Sequence, residues 1–301
     1  MTKITKGIAA ALLAIFLAAL AGCSGSRTPS SSAASSKVSS AVSKVSQAEV
    51  SSADPEDSSE PDDVSSPDSE EPDNTVSITI PEGYTLARIA SKMEANGICG
   101  ENDFISTAQK YDFSYYSLIK KLPASSERAY KLEGYLYPDT YTFVKSSKPE
   151  DVIGKLLRNA EQRIAGQYSY SGMTTDQIVT LASIIEKEAD DATNMKLVSS
   201  VYHNRLNKGM KLEADATITY CTGCLLSPNG PFADKFKYYY NTYRCGALPA
   251  GAICNPGRNA LNAAANPSST GYYYYITKNG NYYYQKTLDE HQAKLNELGM
   301  S

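Results

Sequence analysis

The sequence predicts an α+β chain: a small strand-helix-helix unit starting near residue 76, then a larger mixed part that ends in a β-hairpin. Three observations predict it. Thr174 and Gln177 make a capping box ahead of an apolar helical repeat. Val76-Ser-Ile-Thr-Ile80 alternates like a short strand and runs through Pro-Glu-Gly83 into a helical pattern. Near the end, Asn279-Gly280 stands between two tyrosine runs, the strongest short-range signal for a hairpin with a type I′ turn. Strands and helices do not alternate as βαβ units, so a nucleotide-binding parallel sheet is not expected.

In chain order, Lys3 and Lys6 precede an apolar run from Ile8 to Ala21, the layout of a secretory signal, too short for a comfortable membrane span. The run ends Leu20-Ala-Gly-Cys23, similar to a bacterial lipobox in which the cysteine thiol is acylated. A plain signal peptide or an uncleaved helix is the alternative. Residues 24–75 are Ser, Ala, Pro, Asp and Glu with almost no large apolar side chain, a composition expected to stay disordered. A flexible chain of that length reaches roughly 40 Å. It sets Arg27, Lys37 and Lys44 against eleven acids, a net of −8. With +2 in the leader, a chain of net charge −4 leaves +2 for the rest. Near-neutrality there gives no basis for nucleic-acid binding.

The first helix is expected from about Thr85, with Leu86, Ile89, Ala90 and Met93 inward and a stop at Asn96-Gly97; a second covers Asp103 to Lys110. Tyr135 to Val144 is aromatic and β-branched, hence strand-like. Helices are expected over 149–166, 174–189 and 196–208, the hairpin over 271–286, and a closing helix from Thr287 to Leu298. Of the 23 tyrosines, alternation sends about half of each run to either face, so most are packing residues. Tyr243 is the exception singled out for a groove.

The chemistry concentrates on the helix that starts after Thr174. Ile178, Leu181, Ala182, Ile185 and Ala189 form its buried stripe. Glu186 lies roughly 80° to one side of that stripe and Glu188 roughly 80° to the other, with Lys187 toward water. A carboxylate at the edge of an apolar face is partly desolvated, which raises its pKa and suits it to donate a proton. A solvated helix end has the same spacing.

Around this helix stand Leu132-Glu-Gly-Tyr-Leu-Tyr-Pro-Asp-Thr-Tyr141, Val201-Tyr-His-Asn-Arg-Leu206, Gly209-Met-Lys-Leu-Glu-Ala-Asp-Ala-Thr217, Tyr240-Asn-Thr-Tyr243 and Gly246-Ala-Leu-Pro-Ala-Gly-Ala-Ile253 with Asn255-Pro-Gly257. In this order, together with Leu181-Ala-Ser-Ile-Ile-Glu-Lys-Glu188, they resemble the endolytic murein transglycosylase (YceG-like) family from about Val76 to the end. The resemblance implies a division into a lipoprotein leader (1–23), a linker (24–75), a LysM-like subdomain (76–112) and a catalytic domain (113–301). The subdomain is expected either to contact glycan or to cap the catalytic domain. The resemblance makes Glu186 the acid and places Asn204, Arg205, Asp215, Asn241 and Tyr243 at the substrate, and Glu188 is expected to be structural. Asn204 and Arg205 read equally as a helix cap and surface charge.

The implied reaction needs one acid/base and no cofactor or metal. The acid protonates the glycosidic oxygen between N-acetylmuramic acid and N-acetylglucosamine. It then takes the proton from the muramyl C6 hydroxyl, which attacks C1 and leaves a 1,6-anhydro end. Endolytic cutting of nascent strands, a limit on strand length and peptidoglycan synthases as partners are implied with it. Glu213 stands where the family carries a neutral amide. As a second carboxylate near the acid it would favour ordinary hydrolysis. The alternatives are therefore a hydrolytic muramidase and a non-catalytic glycan-binding scaffold.

Of six cysteines, Cys23 is assigned to the lipid and Cys99 stands alone. For Cys221, Cys224, Cys245 and Cys254, disulfides are the simpler expectation outside the cell, with pairing open and zinc or free thiols as alternatives. His203 and His291 are too few for a histidine metal cluster, and a Ser-His-Asp triad is not expected. No Gly-rich phosphate loop precedes a helix.

Overall fold

The computed structural model describes residues 74–225 and 234–300; the leader, Cys23, the linker and the side chain of Cys224 lie outside what is described. Strand β1 (Thr75–Thr79) pairs antiparallel with β2 (Thr140–Val144) in the register Ile78↔Tyr141. Ile78, Tyr141 and Phe143 face the core at every second position, as the pleat requires. The partner of β1 therefore comes from beyond residue 112, and the small unit shares its sheet with the larger part.

Between these strands run α1 (Leu86–Ala95), α2 (Glu101–Lys110) and the short α3 (Ser117–Lys120). Thr85 caps α1 by accepting from the Arg88 N–H, and Gly97 at φ +67° takes the left-handed conformation after its end. The strand expected from Tyr135 is shorter than the composition suggests, because residues 130–139 pass through turns. Gly134 sits there at φ +93° with Val179 and Ala252 packed against its α-carbon, which leaves no room for a side chain. Tyr135 is buried and donates its hydroxyl to Asp176 instead of joining a ladder.

Helix α4 (Pro149–Ile164) opens on a proline and two acids, which suit the first turn. Helix α5 (Thr175–Glu188) carries the capping box: Thr174 accepts from the Gln177 N–H, and Gln177 accepts from the Thr174 N–H. It is buried on every side from Ile178 to Ile185, where a single stripe was expected. The reason is α9 (Arg258–Ala265), a short alanine-rich helix that packs along it, with α6 (Ala192–Asn207) and α7 (Asp215–Tyr220) on its other flanks. The carboxylates at its end therefore stand on a rigid axle. Thr174→Ala removes one half of the box, and thermal unfolding is expected to show a loss of about 1 kcal/mol, or about 3 °C.

Past α7 a π turn (Cys221–Leu225) and α8 (Asp234–Tyr240) lead to the Tyr240–Tyr243 block. Strands β3 (Tyr274–Lys278) and β4 (Asn281–Gln285) form a hairpin in which Asn279 and Gly280 both have positive φ. Helix α10 (Leu288–Glu297) follows, with its own capping box between Thr287 and Glu290. Among the described residues no helix is long and apolar enough to cross a membrane.

Candidate active site

The two carboxylates at the end of α5 face different surroundings. Glu188 lines a cavity of about 450 Å³ together with Arg205, Glu213, Asp215, Tyr243 and Tyr275. Its Oε2 accepts the Tyr275 hydroxyl at 2.7 Å, and its Oε1 faces the Ala216 N–H at 3.4 Å, in the first turn of α7. Tyr202 extends the chain, its hydroxyl 2.9 Å from that of Tyr275. Burial raises the Glu188 pKa; the Tyr275 and Ala216 bonds oppose it, and the charge of Asp215 adds to it. The result is a half-buried carboxyl in an open hollow, its pKa raised in the direction that suits a proton donor.

The rim of the hollow is built from the motif blocks. Tyr243 donates its hydroxyl to Asp215 Oδ1 at 2.6 Å, and Lys211 Nζ donates to the Tyr243 carbonyl. Thr242 is buried beneath them, accepting from the Ala214 N–H, so that Tyr240–Tyr243 is pinned to the loop ahead of α7. Asn241 accepts from the Tyr243 N–H and shapes this turn, outside the cavity wall. Arg205 is buried and donates to the carbonyls of Tyr273, Lys211 and Leu212 and to Glu213 Oε2 at 2.9 Å. Its guanidinium ties the hairpin to the loop. Asn204 Nδ2 likewise goes to the carbonyls of Thr270 and Tyr272 and faces a separate, smaller hollow.

Glu186 is not part of that cavity. Its Oε2 accepts the Gly257 N–H at 3.1 Å, and the turn at Gly83 lies against its Cγ. Burial pushes its pKa up to about 7; the Gly257 bond opposes this and the nearby charge of Glu82 adds to it. The expected cluster of Arg205, Asp215 and Tyr243 thus forms around Glu188, on the opposite flank of α5 from the glutamate expected to serve as the acid. The sequence reading passed over Tyr202 and Tyr275. Only their meeting across 73 residues marks them, a pairing that no local pattern contains.

A second buried network holds α1 beside this region. Glu133 is fully buried and accepts from the Leu86 N–H, Asn255 Nδ2 and the Tyr220 hydroxyl. Burial pushes its pKa up to about 8, against the pull of those three bonds. A carboxyl whose folded pKa lies above its unfolded value contributes stability below the unfolded pKa, near 4.5, and loses it as pH rises through about 8. Glu133→Gln keeps the shape without the charge. Melting curves at pH 5 and pH 9 should therefore show a smaller alkaline loss in the variant than in the parent.

Cys254 Sγ donates to the Ser183 carbonyl at 3.2 Å and Cys245 Sγ faces the Ala247 carbonyl at 3.6 Å. Cys245 is a thiol, so the two disulfides expected among the four cysteines do not both form.

The profile of the YceG-like family matches residues 61–297. An endolytic murein transglycosylase of Streptococcus pneumoniae serotype 2 (strain D39) is 29% identical over 253 residues, covering 76% of this chain and 46% of that protein. A protein of the same name from Bacillus subtilis (strain 168) is 29% identical over 235 residues, covering 71% and 62%. The chain thus spans about half the length of the curated relatives it matches. The crystal structure of a yceG-like protein from Listeria monocytogenes superimposes with a TM-score of 0.61 at 33% identity, covering 72% of this chain and 74% of that one. With matching motif blocks, a matching profile and a matching fold, the chain belongs to the YceG-like family.

Proposed function

We propose that this protein is a peptidoglycan lytic transglycosylase whose general acid/base is Glu188. One observation carries the assignment: Glu188 shares its cavity with Arg205, Asp215 and Tyr243, whereas Glu186 is turned toward Gly257 on the other flank. A glycan strand enters across the Asp215–Tyr243 rim. Glu188 gives its proton to the glycosidic oxygen as the C1–O bond breaks, and as a carboxylate it then takes the proton of the muramyl C6 hydroxyl. The C6 oxygen closes on C1, so one carboxyl performs both transfers and water is not consumed. The tethered hydroxyl supplies the high effective concentration that makes a second carboxylate unnecessary.

Cleavage within nascent strands, at the bond between N-acetylmuramic acid and N-acetylglucosamine, is part of this reading, as is the limit on strand length that follows. So is a lipid tether at Cys23, which would hold the enzyme at the outer face of the cell membrane near peptidoglycan synthases. The strand-helix-helix order of β1, α1 and α2 supports a LysM-like role in holding glycan.

Glu213 and Asp215 line the same cavity, and this favours a hydrolytic muramidase as the second reading. Both are exposed at the rim and already engaged, Glu213 by Arg205 and Asp215 by Tyr243. Mass spectrometry of uncrosslinked strands digested by the protein separates the readings. The account expects anhydromuramyl ends. Reducing ends would make water the acceptor, and bound but intact strands would mean a scaffold.

A further inference from the structure

We propose that Tyr275 is the positioning residue of the acid: its hydroxyl occupies Glu188 Oε2, so the proton that Glu188 donates resides on Oε1. The inference rests on the reading of Glu188 as the acid/base. The hairpin that carries Tyr275 is fastened to the end of α5 by a second bond, in which the Tyr282 hydroxyl donates to the Glu188 carbonyl at 2.9 Å. Tyr284, paired with Tyr275 across the ladder, donates to Asn194 Oδ1 at 2.9 Å in the first turn of α6. The Tyr275 hydroxyl is therefore delivered to the carboxyl by a braced element and not by a loose side chain.

Tyr202 fixes its direction. The two rings meet edge to face at 6.2 Å and their oxygens are 2.9 Å apart. Burial, together with the neighbouring Tyr202 and Glu188, holds the Tyr275 phenol well above its ordinary pKa, so it stays a donor across the working range. With Oε2 taken by Tyr275 and Tyr202 close behind it, Oε1 keeps the long, weak bond from the Ala216 N–H. That oxygen is the one free to carry a proton toward the cavity. Once the proton has left, the bond from Tyr275 becomes a bond to a full carboxylate, which is roughly twice as strong. Tyr275 thus stabilises the charge that develops on Glu188 during proton transfer, a gain made in the transition state and not on binding.

The other groups facing Glu188 are Tyr202 and Arg205 from α6, Glu213 and Asp215 from the loop and α7, Tyr243 from its block and His291 from α10. A donor to the carboxylate favours its charged form, so removing Tyr275's hydroxyl raises the Glu188 pKa. An acid is active while protonated, so the alkaline limb of the kcat profile moves to higher pH.

The test compares Tyr275→Phe, Tyr202→Phe, Tyr282→Phe and Glu188→Gln in the full chain. Readouts are pH profiles of strand cleavage and a carbon-13 NMR titration of the Glu188 carboxyl without substrate. For Tyr275→Phe, kcat should fall about ten- to a hundredfold at little change in KM. Its alkaline limb and the NMR titration should both move upward. Tyr202→Phe should move them the same way by less. Tyr282→Phe, which removes a brace of the hairpin but no bond to the carboxyl oxygens, should move the titration less than Tyr275→Phe does. A Tyr275→Phe protein that titrates and cleaves like the parent overturns the role of Tyr275 while Glu188 stands. A Glu188→Gln protein that still cleaves overturns the acid assignment, and this inference with it.

Discussion

Glu188→Gln is expected to reduce strand cleavage by about 10³-fold or more, with strands still bound. Glu186→Gln is expected to stay within an order of magnitude of the parent. The amide at position 188 keeps the shape of the cavity floor and can still accept from Tyr275, but it has no proton to give the glycosidic oxygen. At position 186 the same change preserves the bond from the Gly257 N–H, because a Gln oxygen accepts as well as a carboxylate does. It also relieves the repulsion from Glu82, which helps to raise the Glu186 pKa to about 7. Strand digestion followed by chromatography of the products checks both variants in one experiment. Equal losses would mean that both flanks of α5 serve the reaction. Loss at Glu186 alone would return the acid to the position first expected.

Asn255→Ala is expected to cost about 3–5 kcal/mol and to lower the melting temperature by about 10 °C. Asn255 is completely buried. Its Oδ1 accepts from the Leu136 N–H at 2.7 Å, and its Nδ2 donates to the Tyr84 carbonyl and to Glu133 Oε1. Its backbone adds bonds from the Gly83 N–H to its carbonyl and from its own N–H to Tyr84 O. One side chain thus joins the entry of α1, the turn at Leu136 and the loop that ends in Gly257. Alanine strands the Leu136 N–H, takes one of two donors from the Tyr84 carbonyl and removes one partner of the buried Glu133, and each loss carries its own cost. Calorimetry measures the loss. A drop of only 1–2 °C would show that these groups find other partners.

Much of the local structure is legible in the sequence because its causes are local. Thr85, Thr174 and Thr287 each cap a helix through a partner three residues on, and Asn279-Gly280 supplies the positive φ values its turn needs. The elements that were missed depend on distant partners. Arg258–Ala265 is eight residues with no side-chain cap, and it is held as a helix by packing on α5. Tyr135 and Tyr137 have strand propensity, but Gly134 and the bond from Tyr135 to Asp176 draw them into turns.

The site divides in the same way. Spacing identified α5 and two shoulder glutamates, and it could not choose between them because they flank the apolar stripe symmetrically. What separates Glu186 from Glu188 is the company each keeps, with residues 82 and 257 on one side and 202, 215, 243 and 275 on the other. These meetings arise only after the chain has folded.

The most direct test of Glu188 as the acid is a crystal structure of the Glu188→Gln protein with an uncleaved peptidoglycan tetrasaccharide. The account predicts a glycosidic oxygen within hydrogen-bond distance of the amide at position 188, with the sugars crossing the Asp215–Tyr243 rim. A strand bound instead along the face of Glu186, Glu82 and Gly257, with the cavity at Glu188 left unfilled, would contradict it.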